Sequence, residues 1–285
     1  MSSFRADRFA TLQIFHRLAR LKEHASRIPI LMYHSISDVD DSNRHPYYRT
    51  VTTVAMFEQQ IRFLHQNGYR VVSLPEAYKH TQDGKADEKL VSITFDDGFR
   101  DFYTRAFPVL SRYGYSATMF LPTAYIGEAS REFKGSECLS WGEVRELRKA
   151  GVEFGSHTVT HPQLRSVSVD QMRDEVGRSK DEIEQKIGER IETFAYPFAF
   201  PETDAAFVET LREALQESKY QIGVTTIIGR SESSDGRFFM RRLPVNSDDD
   251  SRFFQAKLEG GYDWLRAIQY VAKLKTRRAA VAKKH

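Results

Sequence analysis

The sequence predicts an α/β fold of parallel strands, a barrel or a doubly wound sheet, on three observations. Seven short apolar runs (ILMY, VVSL, VSITF, ATMFL, VEFGS, TFAYP and IGVTT) alternate with longer stretches of helical period, the pattern of repeated strand–helix units. The runs do not alternate strictly between apolar and polar residues, as expected of strands covered on both faces. Helix boundaries fall between them, marked by capping residues and glycines.

In chain order, Phe9, Leu12, Phe15, Leu18 and Leu21 recur at helical spacing with basic residues opposite. That spacing predicts an amphipathic helix in an N-terminal extension, residues 1–28, which packs against the domain or, as the second reading, lies on a membrane surface. The first strand ends at Tyr33 and His34. A helix over Val54–Gln66 follows Thr53 as a cap, carries Phe57, Ile61 and Leu64 on one face and stops at Gly68. The third run surfaces on Asp96 and Asp97. A helix over Trp141–Ala150 follows Ser140, with Glu143 completing a capping box, and stops at Gly151. The fifth run meets His157 and the sixth meets Pro197 and Phe198. Ser231–Arg237 (SESSDGR) is the most disorder-like interior stretch. With no repeat or low-complexity linker, the expected division is one catalytic domain over 29–262 and a C-terminal helix and basic tail over 263–285.

Composition narrows the function classes. A chain of 285 residues with 40% hydrophobic and 28% charged residues buries a core large enough for an enzyme. Much of the net charge of +3 sits between Lys273 and Lys284, which leaves the body near neutral and argues against nucleic acid as a partner. Cys138 is the single cysteine, so an internal disulfide is excluded and any metal is held by His and carboxylates. No stretch is long enough to span a membrane, and the N-terminus lacks the uninterrupted apolar core of a secretory signal. The expected location is therefore cytoplasmic, with the inner membrane face as the variant.

Asp96 and Asp97 pose a problem of repulsion that a bound cation relieves; a plain Asp-Asp-Gly turn is the alternative reading. His157 and His161 are four apart in GSHTVTHP, close enough to face one ion, although such pairs are also common on surfaces. Two imidazoles and one carboxylate at strand ends make a three-ligand site with an open position, the arrangement of catalytic zinc.

These phrases resemble the polysaccharide deacetylases of the NodB homology type, the fourth family of carbohydrate esterases. TFDDG at 94–98 and HTVTH at 157–161 carry the resemblance, supported by YHSI at 33–36, LSW at 139–141 and FAYPF at 194–198. The resemblance implies a distorted (β/α)7 barrel, one divalent ion (zinc first, then cobalt, nickel or manganese) and hydrolysis of N-acetyl groups on an amino sugar of a glycan or glycolipid. By motif position Asp97, His157 and His161 would bind the ion, Asp96 would be the general base, and a backbone N–H near Phe198 would face the oxyanion.

Two departures matter. The family's Arg-Pro-Pro-Tyr phrase stands here as Ala195, Tyr196, Pro197 and Phe198, so the arginine that orients the catalytic Asp is missing. Arg241 or Arg242 is the expected replacement, with a surface ion pair as the alternative. The family's late Leu-x-His phrase, source of the usual general acid, is absent too; His34 is the expected substitute and His45 the runner-up. Two other functions remain in view: hydrolysis of another amide, such as a formamido sugar on a lipid carrier, and a catalytically inactive carbohydrate-binding protein. Oligomeric state has no sequence signal.

Overall fold

Seven parallel strands close into a barrel. They are β1 (Ile30–Tyr33), β2 (Leu90–Phe95), β3 (Thr118–Leu121), β4 (Glu153–Ser156), β5 (Thr193–Ala195), β6 (Ile222–Ile228) and β7 (Met240–Pro244), paired in that order, with β7 returning to β1. The computed structural model describes residues 5–19, 27–39, 41, 43, 45–84 and 89–282. Leu21 and His24 of the N-terminal extension and Lys283, Lys284 and His285 of the tail lie outside those residues. Strands β1, β2 and β3 are buried along their whole length, which is why their sequences read as continuous apolar runs. The barrel is irregular where β5 shortens to three residues and the β6–β7 register shifts between Val224 and Ile228.

Register fixes what reaches the rim. Tyr33 pairs with Phe95, so His34 and Asp96 leave their strands at the same level, and the Asp96 N–H donates to the Tyr33 carbonyl at 3.0 Å. Leu121 pairs with Ser156, and the His157 N–H continues that ladder to the Leu121 carbonyl at 2.9 Å.

One expected strand is not in the barrel, and one strand outside the seven apolar runs is. Of the VVSL run only Val71 is strand, in the two-residue pair Arg70–Val71 that flanks the start of β2. Ser73 is already the cap of helix Leu74–Asp83, accepting from the Glu76 N–H, with Pro75 in the first turn. The seventh position belongs to MRRLP, whose two arginines disguise a buried strand. SESSDGR is likewise ordered: Ser231 is buried, Ser233–Asp235 forms a 3-10 turn, and Asp235 binds Arg241.

The expected helices form with their caps. Val54–Gln66 starts at Thr53, whose hydroxyl accepts from the Met56 N–H, and Trp141–Lys149 starts at Ser140 with the full capping box to Glu143. The N-terminal helix runs Ala6–Ala10, a π-helical turn Thr11–Phe15 and His16–Ala19. It packs on the segment before the C-terminal helix Leu265–Ala282: Phe15 stacks on Trp264, whose indole N–H donates to Thr11 Oγ1 at 3.1 Å, and Arg8 pairs with Asp250. Among the described residues no helix is long and apolar enough to cross a membrane.

Candidate active site

At the carboxyl rim of the barrel, TFDDG makes a tight turn. Asp97 and Gly98 both have positive φ, 72° and 65°. A side chain at residue 98 would be strained twice, by that φ and by a Cβ placed 3.0 Å from Ile126. The turn sends the two carboxylates to different partners, both almost fully buried.

Asp96 meets a guanidinium. Arg242 Nη1 donates to Oδ1 and Nη2 to Oδ2, each at 2.7 Å, in a bidentate pair inside the barrel. Arg242 is itself fixed by Nε donating to the Thr225 carbonyl and Nη1 to Thr94 Oγ1. Burial works to raise the Asp96 pKa, but the charge of Arg242 outweighs it and holds the carboxyl below its ordinary value. Arg241, the other expected candidate, does not reach Asp96. Successive side chains of a strand point to opposite faces, and Arg241 turns outward to Asp235 at 2.7 Å and Glu232 at 2.5 Å.

Asp97 meets the two histidines. Its Oδ1 lies 3.2 Å from His161 Nε2 and 3.8 Å from His157 Nε2, and the three ligand atoms fall within 4.8 Å of one another. Asp97 Oδ1 is buried with no hydrogen-bond partner among the described residues, an oxygen that a cation would satisfy. His157 Nδ1 lies 2.8 Å from the Ala195 carbonyl, so that nitrogen carries the proton and Nε2 keeps its lone pair for a ligand. Burial pushes the His157 pKa down to about 3, against the pull of Asp96. Donor types, tautomer and the orphaned oxygen all fit a divalent ion bound by Asp97, His157 and His161.

The HTVTH loop is held in an unfavourable shape. Thr158 and His161 have φ of 70° and 55°, unusual for residues with side chains. The Thr158 hydroxyl accepts from the His161 N–H at 3.0 Å, and Glu175 of helix Val169–Ile187 accepts from the N–H groups of Val159 and Thr160, both at 2.8 Å, and from the Thr160 hydroxyl. Glu175 thus clamps the loop between the two imidazoles.

The remaining expected residues separate. His34 shares one cleft of about 1130 Å³ with Asp96, Asp97, His157, His161 and Phe198. Its ring has no hydrogen-bond partner among the described residues. Burial lowers its pKa, opposed by Asp96 and Asp97. His45 instead precedes the 3-10 turn Pro46–Tyr48, accepting from the Tyr47 N–H, and does not line the cleft. Phe198, at φ 60°, packs its ring 4.6 Å from that of His161.

Two functional residues went unread in the sequence. Glu175 looks like any acidic residue on a charged helix. Lys134 sits in the hairpin Glu132–Phe133/Ser136–Glu137, and its ammonium reaches Asp97 Oδ2 at 2.9 Å while lying over the Phe133 ring. A lysine 37 residues from its partner, on a two-residue turn, leaves no periodic signal.

Known proteins resemble this chain over most of its length. Residues 83–221 match the family model described as polysaccharide deacetylase. YxkH of Bacillus subtilis (strain 168), a chain named for the same family, is 32% identical over 238 residues, covering 83% of this chain and 78% of the relative. The poly-β-1,6-N-acetyl-D-glucosamine N-deacetylase of Staphylococcus aureus (strain MSSA476) is 25% identical over 202 residues, 65% of this chain and 69% of that one. Among solved structures, the Streptococcus pyogenes deacetylase PplD in complex with acetate aligns with a TM-score of 0.72 at 26% identity, covering 82% of this chain and 99% of that one.

Proposed function

We propose, because the chain belongs to the polysaccharide deacetylase family, that this enzyme is a metal-dependent hydrolase removing N-acetyl groups from an amino sugar of a bacterial-type glycan or glycolipid. The observation that carries the reading is the pairing of two adjacent carboxylates with unlike partners: Asp96 with Arg242, Asp97 with two imidazoles.

A divalent ion bound by Asp97, His157 and His161 would polarise the acetamide carbonyl and acidify a neighbouring water. Its donor set of two imidazoles and a carboxylate suits zinc, with cobalt, nickel and manganese as alternatives. Asp96 takes the proton from the attacking water. Both its oxygens accept from Arg242, yet a carboxylate has about four lone-pair sites, so acceptor capacity remains. Arg242 keeps Asp96 ionised and locks its rotamer. The backbone N–H of the Phe198 segment is the donor proposed for the developing oxyanion. His34, in the same cleft and without a competing partner, is the proposed donor of the proton to the departing amine.

The test is acetate release from N-acetylglucosamine oligomers by protein loaded with zinc, cobalt or nickel. Formate release from a formamido sugar, with no acetate from any acetylated oligomer, would move the assignment to another amide.

A further inference from the structure

We infer that the N-terminal helix and the C-terminal helix Leu265–Ala282 form one docking face for an anionic lipid bilayer. The starting observation is where exposed apolar side chains lie. Of the ten large hydrophobic residues exposed among the described residues, six are on these two helices: Phe9, Ile14, Leu18, Ile268, Tyr270 and Val271. Scattered single exposures are ordinary on any surface. A majority gathered on two helices joined through the turn that leads into the C-terminal one, where Phe15 stacks on Trp264, marks an interaction site.

Charge chooses the partner. From Arg8 to Ala19 and from Trp264 to Ala282 there is no Asp or Glu, while these stretches carry seven Arg or Lys residues. Helix Val169–Ile187, by contrast, interleaves acids and bases in the manner of a solvated surface helix. Three of the basic residues anchor the two helices to the body: Arg8 to Asp250, Arg266 to Glu232 and Lys273 to Glu202. Arg17 and Lys275 are exposed and have no ion-pair partner among the described residues. Apolar side chains flanked by uncompensated cations suit a surface of acyl chains beneath anionic headgroups. The helices lie on such a surface rather than cross it, since among the described residues neither is long and apolar enough to span.

The same C-terminal helix turns Leu265, Ile268 and Ala272 toward the cleft that holds Asp96 and the histidines. Ile268 is both exposed and part of the cleft lining, so the docking face runs up to the cleft mouth along this helix.

Co-sedimentation of the full chain with vesicles tests the face without substrate or metal, so its failure would leave the deacetylase reading standing. Wild-type protein is expected to pellet with vesicles of phosphatidylglycerol and phosphatidylcholine, and to stay in the supernatant with phosphatidylcholine alone. High salt should weaken the binding. The variant Ile14→Ser/Leu18→Ser/Val271→Ser, altered only at exposed positions outside the cleft, should lose at least about tenfold in partitioning, with an unchanged circular dichroism spectrum. Arg17→Glu/Lys275→Glu should lose a comparable amount. Wild-type protein that ignores both vesicle types, or a triple variant that pellets as well as wild type, overturns the inference. So does a wild-type dimer that the triple variant abolishes, because a second copy would then cover the face.

Discussion

The inner and outer faces of the barrel wall use the same chemistry to opposite ends, and strand β7 carries both. Arg242 points inward to Asp96, a carboxylate 146 residues away, while Arg241 points outward to Asp235, six residues away. Both guanidiniums are buried and both are paired. The inner pair is fixed by the wall on every side and aims a carboxylate into a cleft; the outer pair staples the SESSDGR loop to the barrel. Burial and pairing alone therefore do not identify a catalytic ion pair. The face of the strand does.

The largest expected effect comes from breaking the inner pair. Arg242→Met leaves Asp96 buried and uncompensated, a loss of about 3–5 kcal/mol by the usual cost of removing one partner of a buried pair, together with loss of turnover. Arg241→Met should also lower the denaturation midpoint, but the folded fraction should turn over within about threefold of wild type, because Arg241 touches nothing in the cleft. Equal loss of turnover per folded molecule in both variants would erase the distinction between the faces.

Next come the two aspartates on the inner side. Asp96→Asn should retain the ion and hydrolyse at least about 100-fold more slowly, whereas Asp97→Asn should lose metal by elemental analysis. Equal metal loss in both would mean that the carboxylates do not divide the work. His34→Ala is expected to keep the ion and to slow deacetylation by a similar factor of about 100. Turnover near wild type would return the proton-donor role to another carboxylic acid or to water.

A smaller effect should follow at one remove from the site. Glu175→Gln keeps the size of the side chain but gives up its charge and one acceptor, so the HTVTH loop is held less firmly. Metal affinity, read by chelator competition, should fall about 10–100-fold, with the unfolding midpoint of the metal-free protein little changed. An unaltered affinity would mean that Thr158 and the strand ends hold the loop unaided.

The smallest effect belongs to the outermost layer, the docked N-terminal helix. Burial works to raise Asp7 and Asp250, but Arg5 outweighs it at Asp7 and Arg8 at Asp250, leaving both below their ordinary value of 3.8. Groups with depressed folded pKa values contribute stability that is present above the unfolded value and lost as pH falls through the folded one. Docking should therefore weaken below about pH 4, by less than about 1 kcal/mol for the partly exposed Arg8–Asp250 pair. Fluorescence of Trp264, read in a Trp141→Phe background, reports the loss of its stacking on Phe15. A signal unchanged down to the global acid transition would show that the apolar contacts suffice.

What could be read from the chain alone follows from rules of local range. The apolar runs announced most of the barrel because a strand covered on both faces has no polar side to show. Thr53, Ser140 and Glu143 announced helix starts because a cap acts within one turn. TFDDG and HTVTH brought Asp97, His157 and His161 to notice because each phrase sits at a strand end, where parallel barrels place their sites. The tertiary structure alone decided the rest. VVSL gave way to a helix cap at Ser73, and MRRLP became the seventh strand because its arginines are neutralised by carboxylates that the sequence places elsewhere. The choice between Arg241 and Arg242 depends on which face of β7 looks inward, and that is set by register with β6 and β1. Lys134 and Glu175 reach the site from a hairpin and a helix, across separations of 37 and about 15 residues. A periodic pattern records how one element meets the core, not which distant side chain will come to rest beside it; that is fixed only when the strands close into a ring.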